Sequence, residues 1–223
     1  GNEPIWNAQA DNHNPMMDEK GRPWFTVRIR NPKNNPTFCR QGSDHPSAKA
    51  YPLNVSSRQT SMYDPTTGKF TLIDLCFPTH HLSFGEDADN TLWFSSGVGG
   101  LQVAGWLNRR IYEQTGDEAK AQGWSPFVLD TNGNGRRDDG WVQPNQPVDP
   151  AKDKRVAVNF YSVVANPQDG SVWGQGLSPF PSYVVRFDPK TQLSEIYSPP
   201  LPGYGGRGGD IDRNGVFWTS LAS

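Results

Sequence analysis

The sequence predicts an all-β fold, a β-propeller of four-stranded blades, on three observations. Of its 223 residues, 23 are glycine and 20 are proline, a load that disfavours a helical bundle and suits short strands joined by tight turns. A polar turn followed by a short β-run carrying Trp occurs four times, and a second phrase (aromatic, Asp-Pro, turn, returning strand) occurs twice. Aromatic residues make up 12% of the chain, eight of them Trp, so large rings rather than long aliphatic runs carry the core.

The first phrase reads MDEKGRPWFTV (17–27), EDADNTLWFSS (86–96), NPQDGSVWGQG (166–176) and DIDRNGVFWTS (210–220). Its turn makes a hairpin bend, and the alternation that follows sends Trp to one face of a strand. Trp24, Trp93, Trp173 and Trp218 are therefore expected at equivalent places in successive blades. Their spacings are 69, 80 and 45 residues; the last is about one four-stranded blade, and the longer ones require insertions. The second phrase reads YDPTTGKFTLIDL (63–75) and FDPKTQLSEIYSP (187–199). Phe187 follows Trp173 by 14 residues and Trp106 follows Trp93 by 13, so one strand order recurs.

Tyr63 follows Trp24 by 39 residues, which places an insert at about 31–59. Rich in Pro and Asn and without a period, it reads as a long surface loop. A second insert spans about 108–155. Its helical stretch is DEAKAQ, which Thr115 or Asp117 can cap and Gly123 can end. Neither insert has the apolar residues for a core of its own, so 1–223 reads as one partial propeller with about three and a half blades. The chain ends five residues after Trp218, and the remainder of the propeller is expected in missing sequence or in another chain.

Charge excludes several classes. Lys and Arg total 21 against 23 Asp and Glu, for a net −2, and no run of five like charges occurs. That speaks against a nucleic-acid footprint or a polybasic membrane patch. No 18-residue apolar stretch exists, so no membrane-spanning helix is expected. The chain opens on GNEPIWN with no basic-then-apolar leader: either a signal peptide has been removed or the chain is a piece of something longer. Cys39 and Cys76 form one candidate pair without metal or haem spacing. They suit a single disulfide in a periplasmic or secreted protein, with two free thiols as the competing reading. No haem or copper spacing supports a redox subunit.

Propeller ligands bind where the loops before the innermost strands meet. Counting back eleven to thirteen residues from each Trp gives Asn12 and His13, His80 and His81, Phe160 and Tyr161, and Arg207. A base, a hydroxyl donor and a cationic clamp on one ring suit an anionic or ester-bearing ligand, and His is the side chain poised near pH 7. The competing reading has these groups capping strand ends. Side chains of adjacent residues alternate along a strand, so one of His80 and His81 is expected to face the ligand and the other to be structural, unless the loop turns there. A zinc site from His13, His45, His80 and His81 is a weaker alternative, because their spacing carries no ligand signature.

Asp130, Asn132, Asn134 and Asp138 occupy positions 1, 3, 5 and 9 of a calcium loop, with Gly135 at position 6 and the Arg136 carbonyl at position 7. Position 12 is Trp141 rather than Glu, so Asp139 or Asp149 is expected to complete the shell of a structural Ca²⁺. A plain Asn-Gly turn cluster is the alternative.

The stretches YDPTTGKF (63–70), PTHHLSFGEDADNTLWFSSG (78–97), SYVVRFDPKT (182–191) and GRGGDIDRNGVFWTS (206–220) resemble blade phrases of the virginiamycin B lyase-like (streptogramin lyase) propeller family. The resemblance covers about half the chain and leaves both inserts outside. It implies a seven-bladed propeller, a divalent metal such as Mg²⁺, and elimination at the ester of a cyclic depsipeptide with a loop His as general base. Carried to this chain, it implies metal-assisted elimination on a small ester or glycan-type ligand. His81 stands at the family's Pro-His-Gly-like position, with His80 beside it, and becomes the candidate base. A non-catalytic propeller that binds a ligand or a partner protein through its inserts is the competing class.

Overall fold

The computed structural model describes residues 11–97, 101–176 and 182–222; the opening GNEPIWN lies outside the described residues. The first sheet pairs β1 (His13–Met17), β2 (Pro23–Val27), β3 (Gln59–Asp64) and β4 (Lys69–Ile73) in that order, all antiparallel. The second does the same with β5 (Leu82–Phe84), β6 (Thr91–Phe94), β7 (Val103–Asn108) and β8 (Gln122–Pro126). A small sheet follows, in which β9 (Val128–Leu129) is antiparallel and β10 (Trp141–Val142) parallel to β11 (Asp153–Arg155). The third four-stranded sheet is β12 (Val164–Ala165), β13 (Val172–Gln175), β14 (Val184–Phe187) and β15 (Ser194–Tyr197), and the hairpin β16 (Tyr204–Ile211) with β17 (Phe217–Ala222) closes the described chain.

Turn chemistry makes the repeats. Six residues before their Trp, Asp18, Asp87 and Asp212 each accept two backbone N–H bonds on Oδ1, from the residues two and four places on, at 2.9–3.1 Å. A short polar side chain that bends its own backbone is what starts such a turn. The Asp18 and Asp212 carboxylates also accept the indole N–H of Trp24 and Trp218, both at 3.0 Å. In the third copy, Asn166 accepts from the Gln168 N–H at 2.9 Å. Trp24, Trp93, Trp173 and Trp218 all lie on the second strand of their sheet or hairpin.

The first strands are neighbours in sequence order: β1 packs on β5, β5 on β12 and β12 on β16. That is the arrangement of blades around an axis. The apolar core lies between blades. Trp24, Ile73, Leu75, Phe77, Leu92, Phe94, Leu107 and Trp124 fill the space between the first and second sheets. Trp93, Phe127, Phe160, Val172, Val185 and Phe187 fill that between the second and third.

The connection from β2 to β3 is not the plain surface loop read from its composition. It carries the helix α1 (Pro46–Ala50), and it buries Cys39, Ala48 and Leu53 in the first core. Polar pins replace periodicity there: Arg30 Nε donates to Asp74 at 2.6 Å, and Asn35 donates to the carbonyls of Leu53 and Cys76 at 3.0 and 2.8 Å. Cys39 and Cys76 are disulfide-bonded.

After β7 come two helices rather than one. Asn108 caps α2 (Arg109–Thr115) through Ile111 N–H, and Gly116, at φ +64°, ends it. Asp117 caps α3 (Glu118–Ala121) through Lys120 N–H. Gly123 does not end the helix: it lies in β8, where a Cβ would stand 2.4 Å from the Trp106 ring. The stretch read as a second insert thus supplies the outermost strand of the second sheet.

Candidate functional site

Each first strand of a sheet begins at the same end of the axis, and the residues there come together. His13 opens β1, His80 and His81 immediately precede β5, Tyr161 stands three residues before β12, and Arg207 lies in β16. The ring centroids of His80 and His81 are 4.1 Å apart, with His13 at 4.4 and 5.2 Å from them. Tyr161 lies 4.9 Å from His80 and 5.0 Å from His81, and the Arg207 guanidinium sits 5.8 Å over the Tyr161 ring, within cation–π range.

The expectation that His80 and His81 face opposite ways does not hold. The chain bends at His80, so strand alternation does not apply. Ser95 fixes the bend: its carbonyl accepts from His80 N–H at 2.7 Å, its N–H donates to the His81 carbonyl at 2.9 Å, and its hydroxyl accepts from His81 N–H at 2.9 Å. The Thr26 hydroxyl bridges the carbonyls of His13 and His80 at 2.9 and 2.7 Å. Gly97 N–H donates to the Phe160 carbonyl at 3.1 Å, Tyr161 N–H donates to the Gln175 carbonyl at 2.7 Å, and Gln175 Nε2 donates to the Gly208 carbonyl at 2.6 Å. One polar chain thus ties all four first strands together beneath the ring.

Burial, then the neighbouring His81 and His13, pushes His80 down to about 4. Burial and then His13 lower His81. Both rings are therefore neutral near pH 7, with a lone pair to offer. His13 Nε2 and His80 Nδ1 are buried with no hydrogen-bond partner. One ligand nitrogen from each of His13, His80 and His81 lies within 4.8 Å of the other two. His45 is elsewhere: it stacks on Trp124 at 4.8 Å and faces the carbonyls of Ala119 and Gln122, both at 3.1 Å.

Two cations beside the ring escape sequence reasoning. Arg58 and Arg28 both reach Asp11 Oδ2, at 2.7 and 3.4 Å, and the Nε of each is buried and unpaired. Arg58 is the next-to-last residue of the stretch read as a loop. It immediately precedes β3, whose first residue Gln59 pairs with Val27, the residue before Arg28, a neighbourhood that no local motif announces.

The acidic loop after β9 is a second candidate site. Asp130 accepts the N–H groups of Gly133, Asn134 and Gly135 at 2.7–3.1 Å, and Asn132 and Asn134 both donate to the Asp138 carboxylate, at 2.7 and 3.0 Å. Arg136 N–H donates to Asn134 Oδ1 at 2.9 Å. The carboxylate that joins this loop is neither of those expected. Asp139 is exposed, and Asp149 is turned to Ala151 N–H at 2.9 Å. Instead Asp153, 0% exposed, accepts from Asp138 N–H at 2.8 Å and keeps Oδ1 unpartnered. Burial, then the charges of Asp138 and Asp130, raises its pKa. Position in β11, 15 residues beyond Asp138, brings it there, beyond the reach of a loop motif.

Two cavities lie away from the imidazoles. One of about 230 Å³ is lined by Met16, Phe84, Ala165 and Ile211, the later residues of the four first strands, and so opens toward the other end of the axis. One of about 340 Å³ lies between Trp93 and Trp106 of the second sheet and Asp169 and Lys190 of the third.

No protein-family model and no curated protein matches the chain. Solved structures do. A streptogramin B lyase aligns with a TM-score of 0.52 and 12% identity over 95% of this chain and 48% of its own. A catalytically inactive virginiamycin B lyase from Staphylococcus aureus, solved with quinupristin, aligns at 0.53 and 12% over 97% and 50%. A gluconolactonase from Xanthomonas campestris aligns at 0.51 and 13% over 99% and 57%. The chain has the propeller fold of the streptogramin lyase-like proteins and spans about half the length of these structures. Among the described residues, no helix is long and apolar enough to cross a membrane.

Proposed function

We propose that this chain is part of a larger, seven-bladed propeller that binds a small anionic or ester-bearing molecule at the axis end marked by His13, His80, His81, Tyr161 and Arg207. One observation carries the reading: side chains from the three four-stranded sheets and the closing hairpin, or from the loops just before their first strands, converge there, with Arg207 held over Tyr161. Arg28 and Arg58, each with an unpaired buried Nε, add positive charge suited to a carboxylate or carbonyl oxygen. Calorimetric titration with a panel of small carboxylates and esters tests it. Binding that Arg207→Ala weakens supports the site, and affinity untouched by Arg207→Ala and Tyr161→Phe together counts against it.

A lyase-like elimination is a second reading, favoured by the neutral His81 imidazole. Taking a proton beside an ester carbonyl needs such a free base. On that reading His81→Ala lowers kcat by ~10²–10⁴ and leaves the fold intact. Turnover unaffected by the change would exclude His81 as the base.

The acidic loop is proposed to hold a structural Ca²⁺ through Asp130, Asn132, Asn134, the Arg136 carbonyl and Asp138, with Asp153 completing the shell. The disulfide supports export to the periplasm or the exterior. The rest of the ring is proposed to come from further sequence or another chain.

A further inference from the structure

We infer that His13, His80 and His81 together hold a divalent transition-metal ion, zinc or a metal of similar preference, whose open position takes an anionic oxygen ligand. The inference rests on reading the axis end as a ligand site, and it excludes the elimination reading, in which His81 is the free base.

Three observations carry it. One nitrogen from each imidazole lies within 4.8 Å of the other two. Tetrahedral coordination at ~2.0–2.1 Å needs nitrogens about 3.3 Å apart, so binding requires the three nitrogens to draw closer together. Second, His13 Nε2 and His80 Nδ1 are buried and unpartnered. A buried polar atom without a partner is costly, and a metal ion satisfies both at once. Third, the donors are all imidazole, which suits Zn, Cu, Ni or Fe and not the oxygen-seeking Mg²⁺ or Ca²⁺. The three imidazoles therefore do not fit the Mg²⁺ that the family resemblance implies.

Surroundings define the open position. Three protein ligands leave a fourth place on a tetrahedral ion. Tyr161 flanks His80 and His81 on one side, with Arg207 over its ring. A carboxylate or ester oxygen on the metal would meet that hydroxyl-bearing ring and that cation. With all three lone pairs on the metal, none of these imidazoles accepts a proton from a ligand.

The test uses the full chain, stripped of metal with a chelator and then held in Ca²⁺ so that the acidic loop is saturated. Zinc chloride is titrated calorimetrically, and cobalt(II) chloride by visible absorption. One zinc per chain is expected, with a cobalt spectrum of a four-coordinate nitrogen-bound ion. His13→Ala, His80→Ala and His81→Ala should each weaken zinc by at least ~100-fold, since even partners of metal ligands cost 10–100-fold when lost. Arg207→Ala should abolish the effect of added acetate on the cobalt spectrum. If the His variants do not fold, the wild-type cobalt spectrum decides alone. Folded wild-type chain that takes up no zinc or cobalt, or uptake undiminished in the three variants, overturns the inference. Carboxylate titration of the metal-free chain separately tests the ligand site itself.

Discussion

Gly97 packs its bare α-carbon against the His80 ring: a Cβ there would stand 2.9 Å from both Cβ and Cγ of His80, and the residue sits at φ +72°. The glycine meets two demands at once, a left-handed backbone and a close approach. Gly97→Ala is expected to lower stability by about 1–2 kcal/mol for the backbone alone and to push the His80 ring out of the cluster. Thermal melting and zinc titration check the two effects. Unchanged zinc affinity in a folded Gly97→Ala chain would show that His80 does not depend on this wall.

Asp18 and Arg109 join the first two sheets. Arg109, 2% exposed, lies 3.2 Å from Asp18 and 3.1 Å from Glu19, with its guanidinium 5.3 Å over Trp24 and 5.1 Å over Phe84. Stranding a buried charge costs about 3–5 kcal/mol; because Glu19 and Glu113 stay within reach of Arg109, the loss of Asp18 is expected at the low end. Asp18→Ala should fall in that range by denaturant unfolding, because it also releases Arg22 and the Trp24 indole.

The same group makes stability depend on acid. Burial penalises the Asp18 charge, but bonds from Trp24 and Arg22 outweigh it and hold the carboxyl below its ordinary 3.8. In acid the unfolded chain therefore binds the proton more readily. The Asp18 contribution is complete above about pH 4 and is lost as pH falls through the lower, folded value. Asp18→Asn should flatten the fall in melting temperature below pH 4; an unaltered slope there would remove Asp18 from the account.

The blades were legible because each repeat spells its own turn. Asp18, Asp87 and Asp212 bend the chain by local bonds, and the Trp six residues on marks the second strand. Counting back from that Trp reached His13, His80, His81, Tyr161 and Arg207 because the innermost strands share one polarity around the axis. What depended on distant pairing was not legible. Arg28 and Arg58 meet at Asp11 only through the sheet, and Asp153 reaches the acidic loop only through β11. α1 was hidden in a Pro-rich stretch, where Pro46 at the helix start and the capping His45 ring replace an apolar period.

The bond between Cys39 and Cys76 spans 37 residues. Chain entropy for such a loop gives about 3–4 kcal/mol. Cys39→Ser with Cys76→Ser should lower stability by that order, and alkylation of the unreduced, unfolded wild-type chain should label no cysteine. Two labelled cysteines by mass spectrometry would contradict the bond.

Asp153 is the residue on which the calcium proposal turns. Its Oδ1 is buried without a partner, its Oδ2 accepts from Asp138 N–H, and Asp138 accepts from Asn132 and Asn134. An oxygen-rich set of this kind suits Ca²⁺, at about 2.3–2.6 Å from each ligand. Because β11 pairs with β9 and β10, an ion held here would tie the small sheet to its own loop. Calorimetry on chelator-treated chain should show one Ca²⁺, and a ligand at 100 times its Kd raises stability by about 2.7 kcal/mol. Asp153→Asn keeps the shape and removes the charge; it should weaken Ca²⁺ by at least ~10-fold and abolish most of the chelator-sensitive rise in Tm. Asp139→Asn and Asp149→Asn should change neither, since Asp139 is exposed and Asp149 is engaged by Ala151 N–H. No heat of Ca²⁺ binding on folded, stripped chain, or equal affinity in Asp153→Asn, would return the loop to a hydrogen-bonded turn.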